Sequence, residues 1–438
     1  MRVQKAFGRF ARIDAVRQSA TLMVGQAVAM VASLCLTALI ARGLAVADYG
    51  AYRYALTYLT FGMALLQFGI PYSAARLLAL QQDPVAQGRI VGFGALAVVV
   101  ATVLGVALTF VTISSGPLLG FVLPGIVLIV SPALFVTLGQ AFVTSACQGL
   151  GRITLLASQQ ILPYLVLLPV TAFQLFVLGR YSLTAALLGY VLTFTLVLFV
   201  GFRRLGASFA GLADVWSALK VENLRTGLPI YVGGVFGVAS AQFISLWVAA
   251  FIDSVDYGQY ALAVAVSAPL CVLLSSVGTV IFRSSSRLDR LPRELIVTTV
   301  LVGALLGAAY WVCTEWLLTA VFGEKYSPAI GTAQWLGIAS LLIGFGDVLQ
   351  RFLGAHGLGK RLGAVSVATG VVAMATAAVF LPRLAVTGAI ISSLCAAVTY
   401  VSLLAGLYVY FTRRDPGQLG RDDAPRSADG TAGSGSIR

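Results

Sequence analysis

The sequence DYGAY at Asp48–Tyr52 returns as DYGQY at Asp256–Tyr260, with a single substitution. At the same offset along the chain, QGLGR at Gln148–Arg152 matches HGLGK at His356–Lys360. Two short matches in one register are much stronger evidence than either match alone. The chain therefore contains an internal repeat, and its two halves are expected to share one architecture.

Long apolar runs lie on both sides of these motifs. Of the 438 residues, 59% are hydrophobic and 10% are charged, whereas a soluble globular chain has about 25% charged residues. Lipid, rather than water, must therefore surround most of the chain. A membrane-crossing helix needs about 20 apolar residues. Twelve runs meet this condition: Ala20–Ala41, Tyr54–Ala75, Ile90–Ile113, Leu119–Ala146, Ile153–Leu178, Leu183–Phe202, Gly227–Phe251, Tyr257–Phe282, Leu295–Ala320, Thr332–Leu353, Leu362–Leu381 and Ala385–Phe411.

The class of fold follows from the backbone chemistry of a bilayer. Every backbone polar group must be paired there, which only helices and closed barrels achieve. The runs show no alternation of period two, so the sequence predicts an all-α membrane protein of about twelve transmembrane helices. Six runs separate the repeated motifs, and an even number means that both halves cross in the same sense. We therefore expect two parallel six-helix lobes around a central cavity, related by a rotation of about 180° around the membrane normal.

The same runs set the predicted domain boundaries. The regions between the runs are polar and short, and the segment after the last run has the composition of a disordered segment. The predicted order is a cytoplasmic amphipathic N-terminal tail at 1–19, an N-lobe at 20–202, a cytoplasmic linker at 203–226, a C-lobe at 227–411 and a disordered cytoplasmic tail at 412–438.

The basic residues predict the orientation. Of the 29 Lys and Arg residues, 24 fall on the tails and the even-numbered connections. The opposite side holds only Arg42, Arg53, Arg180, Lys325 and Arg383. Positive residues concentrate on the cytoplasmic side of membrane proteins, so both termini are predicted to be cytoplasmic, in a multi-pass protein of the bacterial inner membrane. The net charge of +13 is then a topology signal, and no nucleic-acid partner is predicted.

Several local motifs carry a resemblance to a known family. ARGL at Ala41–Leu44, followed by Asp48–Gly50, FGIP at Phe68–Pro71 and Arg76, resembles the N-terminal signature of the polysaccharide transporter (Wzx-type flippase) family. FGEKY at Phe322–Tyr326 and the Gly-Leu-Gly-Lys loop resemble the second-half motifs of that family. The resemblance covers nearly the whole chain before the C-terminal tail. It also points to the larger MATE-like superfamily, which contains multidrug exporters and lipid II flippases.

The resemblance implies a function. Members of the family move undecaprenyl-diphosphate-linked oligosaccharides from the inner to the outer leaflet by alternating access between two lobes. The implied partners are the lipid-linked oligosaccharide, the lipid bilayer, and the polysaccharide polymerase and glycosyltransferases of the same pathway. The sugar composition, the coupling ion and the oligomeric state do not follow from the sequence.

A lipid diphosphate needs cations and polar groups inside the bilayer, where such groups are costly unless they face a partner or a wet cavity. Arg53 and Arg76 flank the second apolar run and Gln67 lies between them, while Arg283 ends the eighth run. With polar groups from the first and seventh runs, the predicted substrate-binding set is Arg53, Arg76, Gln26, Gln67, Gln242 and Arg283. Arg76 and Arg283 have a second interpretation as positive-inside anchors.

Two further pairs of residues have alternative interpretations. Asp347 and Arg351 are four residues apart in the tenth run, which is typical of an intrahelical ion pair and equally of a gating pair that breaks on conformational change. The two Asp-Tyr-Gly motifs predict helix caps, since an Asp side chain can accept a first-turn amide.

Enzymatic function classes find little support in the sequence. It contains a single histidine, His356, and no phosphate-binding glycine loop, metal-ligand cluster or nucleophile–histidine arrangement. No catalytic residue, metal or cofactor is therefore predicted, and the chain is interpreted as a transporter rather than an enzyme. The alternatives are a multidrug or amphiphile exporter of the same superfamily and, more remotely, a membrane-embedded enzyme of glycan biosynthesis.

Overall fold

The computed structural model describes residues 24–114, 123–179, 181–285, 290–356 and 358–413, and this part of the chain is helical without any strand. The predicted amphipathic tail at 1–19 lies outside it, as does nearly all of the predicted C-terminal tail. The N-lobe contains α1 (Val24–Gly43), α2 (Val46–Leu66), α3 (Ile70–Leu80), α4 (Pro84–Ser114), α5 (Pro124–Val130), α6 (Leu134–Gly149), α7 (Ile153–Phe176) and α8 (Leu183–Leu205). The linker contains α9 (Leu212–Glu222). The C-lobe contains α10 (Leu228–Val248), α11 (Ser254–Ser285), α12 (Arg293–Trp316), α13 (Ile330–Ala355), α14 (Gly359–Leu384) and α15 (Val386–Arg413).

The number of spans agrees with the sequence. In the described ranges, 11 helical segments are long and apolar enough to cross a membrane, and α2 with α3 forms a twelfth that bends by 61°. The prediction of an all-α membrane protein with about twelve transmembrane helices in two lobes is confirmed.

The second span is broken rather than continuous. The sequence predicted one run over Tyr54–Ala75, but α2 ends at Leu66 and α3 begins at Ile70. Between them Phe68 and Gly69 have positive φ angles of 46° and 75°, a conformation that suits glycine and ends a helix. A proline then occupies the first turn of α3, where its missing N–H costs nothing.

The two Asp-Tyr-Gly turns lie at the same end of the molecule and contact each other. A Cβ atom placed on Gly258 would lie 2.2 Å from the carbonyl oxygen of Val46, and one on Gly50 would lie 2.7 Å from that of Ser254. The ring of Tyr54 packs edge-on against that of Tyr257, with centroids 5.7 Å apart. The glycines therefore permit α2 and α11 to cross backbone to backbone, and this joins the lobes.

The prediction that the motif aspartates cap these helices is wrong. Asp48 and Asp256 both lie inside the first turn, and the N-cap of α2 is Ala45, without a side-chain hydrogen bond. In the second copy Asp253 Oδ1 accepts the backbone N–H of Asp256 at 2.7 Å. The glycines of the two motifs, rather than caps at their aspartates, therefore make the contact between the two copies.

Hydrogen bonds between the lobes reinforce the same end, which we call the closed end. Lys325 Nζ donates to the carbonyl oxygen of Leu44 at 2.6 Å, and Tyr326 Oη donates to that of Ala41 at 3.2 Å. In return Arg42 Nε donates to the carbonyl oxygen of Val321 at 2.7 Å. Cationic and phenolic donors from each lobe therefore bind the backbone of the other lobe.

At the opposite end the linker holds the bent second span. Arg76 Nη1 lies 2.9 Å from Glu222 Oε1 and 2.6 Å from Thr226 Oγ1. Ser73 Oγ donates to Asn223 Oδ1 at 2.8 Å. These contacts attach α3 to the segment that leads into α10, so the linker is a structural part of both lobes.

Candidate binding cavity between the lobes

A cavity extends from the closed end towards the linker end and has two chambers that share Ser33, Tyr164 and Phe194 in their walls. The deep chamber, of about 260 Å³, lies against the closed end. The wide chamber, of about 520 Å³, lies further towards the linker end and includes residues of α1, α6, α7, α11 and α13. Both lobes therefore contribute residues to two adjoining chambers.

Arg53 is the charged residue of the deep chamber. It lies seven residues after the start of α2, or about 10 Å into the span at 1.5 Å per residue. Its Nε atom is buried and has no hydrogen-bond partner within the described part of the chain. Gln242 of the C-lobe also lines this chamber, and the other polar groups in its wall are hydroxyls, those of Tyr49, Tyr52, Tyr164, Tyr190, Ser33, Thr37, Thr57 and Thr60.

Arg351 is the charged residue of the wide chamber. The remaining polar groups there are amides and hydroxyls, including those of Gln26, Gln140, Gln159, Gln160, Thr144, Ser275 and Ser276. The Oε1 atom of Gln160 is buried without a partner in the described residues. Amides offer both donors and acceptors, so this wall is suited to a ligand rich in hydroxyl groups.

The cavity has one sign of charge. Arg53 and Arg351 are the only ionisable charged residues among the described residues that line the two chambers, and no carboxylate occurs there. A guanidinium group remains protonated, and its planar fork matches phosphate oxygens in bidentate fashion. The arrangement is therefore suited to an anionic group attached to a polar body.

The structure brings together three of the six predicted substrate-binding residues. Arg53, Gln26 and Gln242 line the cavity. Gln67 lies instead at the bend between α2 and α3, where its carbonyl oxygen accepts the N–H of Ile70. Arg76 is bound to Glu222 at the linker.

Arg283 belongs to α11, but its side chain lies outside the described residues. Its predicted role therefore stays a prediction.

The predicted gating pair borders two different spaces. Asp347 lines a separate chamber of about 560 Å³ within the C-lobe, while Arg351 lines the wide chamber. Tyr400 Oη donates to Asp347 Oδ1 at 2.9 Å, and the thiol of Cys271 lies 3.9 Å from Oδ2. Asp347 therefore has partners on α15 and α11, and the gating function of the pair stays a prediction.

Sequence reasoning missed several cavity residues, above all the amides of α6 and α7. Gln140, Gln159 and Gln160 each stand inside an apolar run, which was an available signal because buried amides are costly in a bilayer. Tyr164 and Tyr190 gave no such signal, since tyrosines are common in transmembrane helices and the sequence does not show which ones face inwards.

Solved structures identify the class of fold. The lipid II flippase MurJ in an inward closed conformation matches with a TM-score of 0.70 at 13% identity, covering 90% of this chain and 89% of that one. A multidrug resistance MATE family transporter of the MOP superfamily in an inward-facing conformation matches with a TM-score of 0.66 at 12% identity, covering 90% and 99%. An outward-facing conformation of such a transporter gives 0.54 at 14% identity, covering 91% and 96%. The chain therefore has the fold of MOP superfamily transporters.

The family is shown by the sequence. The family described as "Polysaccharide biosynthesis protein" matches residues 15–288, more than half of the chain. The chain therefore belongs to the polysaccharide biosynthesis protein family, and its described helices are those of a multi-pass membrane protein. No curated protein sequence matches it.

Proposed function

We propose that this protein is a flippase that moves undecaprenyl-diphosphate-linked oligosaccharide from the inner to the outer leaflet of the bacterial inner membrane by alternating access. The observation that carries the proposal is the pair of arginines, Arg53 and Arg351, in a cavity without a lining carboxylate among the described residues. The family match to polysaccharide biosynthesis supports the same substrate class.

Each part of such a substrate has a suitable surface. The diphosphate is anionic, and an arginine fork is the side chain best matched to it. The oligosaccharide presents hydroxyl groups, for which the amides of the wide chamber and the tyrosines of the deep chamber offer donors and acceptors. The polyprenyl tail is apolar and remains in the bilayer while the head group crosses.

The membrane potential favours the proposed direction. Moving a negative charge outwards across a membrane whose inner side is negative is favourable by about 2.3 kcal/mol per charge per 100 mV. The protein must only keep the anion from being stranded in a low dielectric, and a cation fixed to the helices does this. Arg53 sits on α2, a helix anchored at the closed end, so its charge stays with the framework and does not cancel the driving charge.

The two ends of the molecule indicate which state of the transport cycle the structure represents. The charge bias of the sequence puts the closed end on the outer side of the membrane, so the cavity belongs to a state that is closed to the outside. The higher TM-score against the inward-facing transporter than against the outward-facing one, 0.66 against 0.54, supports the same state. In this state the cavity receives substrate from the inner leaflet.

The main alternative is an exporter of cationic drugs. A cationic cargo needs carboxylates in its binding site, whereas the two charged residues that line the described part of this cavity are arginines. Within the same fold, a MOP superfamily transporter from Pyrococcus furiosus Vc1, which matches with a TM-score of 0.55 at 15% identity over 91% of this chain and 96% of that one, is described as having a binding pocket of reverse polarity that suggests a different function. The positive lining of the present cavity likewise favours an anionic cargo over a cationic one.

The proposal places the protein between two kinds of enzyme. Its substrate would be assembled by glycosyltransferases on the cytoplasmic face, and its product would be taken up by a polymerase on the outer face.

A transport assay separates the alternatives. The purified protein, reconstituted with an imposed potential, should expose a fluorescent lipid-linked oligosaccharide to an impermeant glycosidase on the far side of the vesicle, and it should not move a cationic dye. Arg53→Ala in parallel vesicles is the matched control. Dye movement without glycan translocation would reject the flippase and support the exporter, while new covalent product in the absence of translocation would support an enzyme.

A further inference from the structure

A second cavity lies on the other side of α1, at the closed-end half of the molecule. It has a volume of about 660 Å³ and lies between α1, α11, the last part of α12 and the segment Leu317–Phe322 that follows α12. We call it the tail groove. Among the described residues, Arg42 is the only charged residue in its lining, and the rest is apolar apart from the hydroxyl group of Tyr310.

Helix α1 is a wall one helix thick between the tail groove and the deep chamber. Leu36, Thr37 and Ile40 face the chamber that contains Arg53. Ala38 and Leu39, between them in sequence, face the tail groove. A molecule with its head group in the chamber and an apolar chain outside therefore has a surface for each part on the two sides of one helix.

Arg42 lies at the outer end of the tail groove in a fixed position. Its Nε and one Nη donate to the carbonyl oxygens of Val321 and Ala320. A guanidinium has five N–H donors in a rigid fork, so these two bonds orient the group and leave further donors for a ligand. Because the rest of the lining, as far as the structure describes it, is uncharged, the groove offers one cation above an apolar surface, which is the complement of a lipid phosphate above its chain.

The base of the tail groove is also preformed. Tyr310 Oη donates to the carbonyl oxygen of Ala333 at 3.2 Å, and its ring packs where Gly337 has no side chain. Pro269 on α11 interrupts the helix hydrogen bonds beside it, which allows a local bend. The groove is thus formed by positioned helices before any ligand enters.

We propose that the tail groove binds the polyprenyl chain of the translocated carrier lipid, with its phosphate at Arg42. This site rests on the proposed function and deepens it, because it is where the lipid product is held on the outer side before release. The carrier lipid is favoured over a bulk diacyl phospholipid by position: its head group leaves a chamber that shares α1 with the groove.

Photo-crosslinking tests this site without measuring transport. The full-length protein, in nanodiscs of zwitterionic lipid, is exposed to a polyprenyl phosphate that carries a photoreactive group in its chain. We expect adducts within 34–39, 266–270 and 310–322, displaced by unlabelled polyprenyl phosphate at lower concentration than by phosphatidylglycerol. Arg42→Gln should lower the yield about tenfold, as expected for the loss of a charge-assisted hydrogen bond.

Two matched pairs of variants keep the test specific. Lys360→Gln removes an exposed cation at the start of α14, a helix that does not line the groove, and should leave the yield within about twofold, as for an independent site. Leu317→Trp fills the groove and should abolish the adducts, whereas Val312→Trp adds the same bulk to a lipid-facing position of α12 that is 77% exposed and should not.

Three results would overturn the site. They are equal displacement by phosphatidylglycerol, adducts confined to the Arg53 chamber, and adducts that persist in Leu317→Trp. The outcome is separable from that of the proposed function. Groove adducts in a protein that fails to translocate glycan would reject the flippase and keep the lipid site, while translocation without groove adducts would reject the site alone.

Discussion

Gly50 and Gly258, the third residues of the two repeated turns, meet face to face where α2 crosses α11. A Cβ atom on Gly50 would lie 3.1 Å from the Cα atom of Gly258 and 3.0 Å from its nitrogen. Their contact joins the lobes at the end that the charge bias places outside. The internal repeat therefore marks the surface on which the lobes close, and the following predictions begin there.

Gly258→Ala should open the closed end. The added methyl would lie 2.2 Å from the backbone oxygen of Val46, so α2 and α11 must separate, although alanine itself favours a helix by about 1 kcal/mol. Spin-label distances between the outer ends of these two helices should lengthen. Gly406→Ala, at a helical position with nothing within 4 Å, is the control and should leave the distances unchanged. Unchanged distances in Gly258→Ala would refute this closure mechanism.

Arg53→Ala should abolish most glycan translocation at equal membrane level, because the anion would lose its fixed counter-charge in the deep chamber. Arg53→Lys should restore only part of the rate, since an ammonium group cannot form the bidentate fork. Arg76→Ala should have a smaller effect, because Arg76 pairs with Glu222 at the linker. Initial rates of translocation in the glycosidase assay measure how the three variants rank. Wild-type rates in Arg53→Ala would make Arg53 an interfacial anchor.

Lys325→Met should weaken the closed end without disturbing the cavity. It removes the donor to the carbonyl oxygens of Leu44 and Arg42 and preserves most of the apolar length of the side chain. For an exposed cation we expect a loss of about 1 kcal/mol, roughly a fivefold shift towards the open state. Alkylation of a cysteine at Tyr49 by an impermeant maleimide should accelerate accordingly. An unchanged alkylation rate would show that Lys325 does not hold the lobes together.

The pair Arg76–Glu222 should behave as a partly exposed ion pair. The side chains are 46% and 14% exposed, so either single alanine substitution should cost about 0.5–1 kcal/mol of stability. The reversed double variant, Arg76→Glu with Glu222→Arg, should recover part of that loss in thermal unfolding. A double variant less stable than both single variants would show that the pair is held by geometry rather than by charge.

The orientation has a direct chemical test. In a background without native cysteine, a cysteine at Lys360 should react with impermeant reagent only from the cytoplasm. A cysteine at Glu324, at the closed end, should react only from outside, because the positive-inside bias assigns these ends to opposite sides. Labelling of the cysteine at position 360 from outside would show that the topology, and with it the proposed direction of transport, is the reverse of the one predicted.

Hydropathy predicted the number and course of the spans because the bilayer imposes both length and composition on them. It did not predict the break at Gln67–Gly69, although the sequence Gly69-Ile70-Pro71 contains a helix stop followed by a helix start. A hydropathy window averages over such three-residue signals. The rotation of about 180° that should relate the two lobes stays a prediction.

The binding cavity was predictable only in part. Arg53 attracted notice because it borders an apolar run on the side that the positive-inside bias leaves poor in cations, and it does line the cavity. Arg351 was interpreted through Asp347, because a spacing of four residues places both on one helix face. That face lies on the boundary between two cavities, and a boundary depends on tertiary packing that helical periodicity does not encode.

The donors of Arg42, Lys325 and Tyr326 at the closed end all reach main-chain oxygens. An amide carbonyl is present whatever side chain its residue carries, so substitutions at Val321, Leu44 or Ala41 do not remove the acceptor. A substitution on one side of this contact between the lobes therefore requires no compensating substitution on the other side. We expect an alignment of homologues to show invariant or independently drifting positions here, and a map of coevolving residue pairs to be blank at the contact that holds the two lobes together. Strong covariation between Lys325 and Leu44 would show that side chains, rather than the backbone, determine this contact.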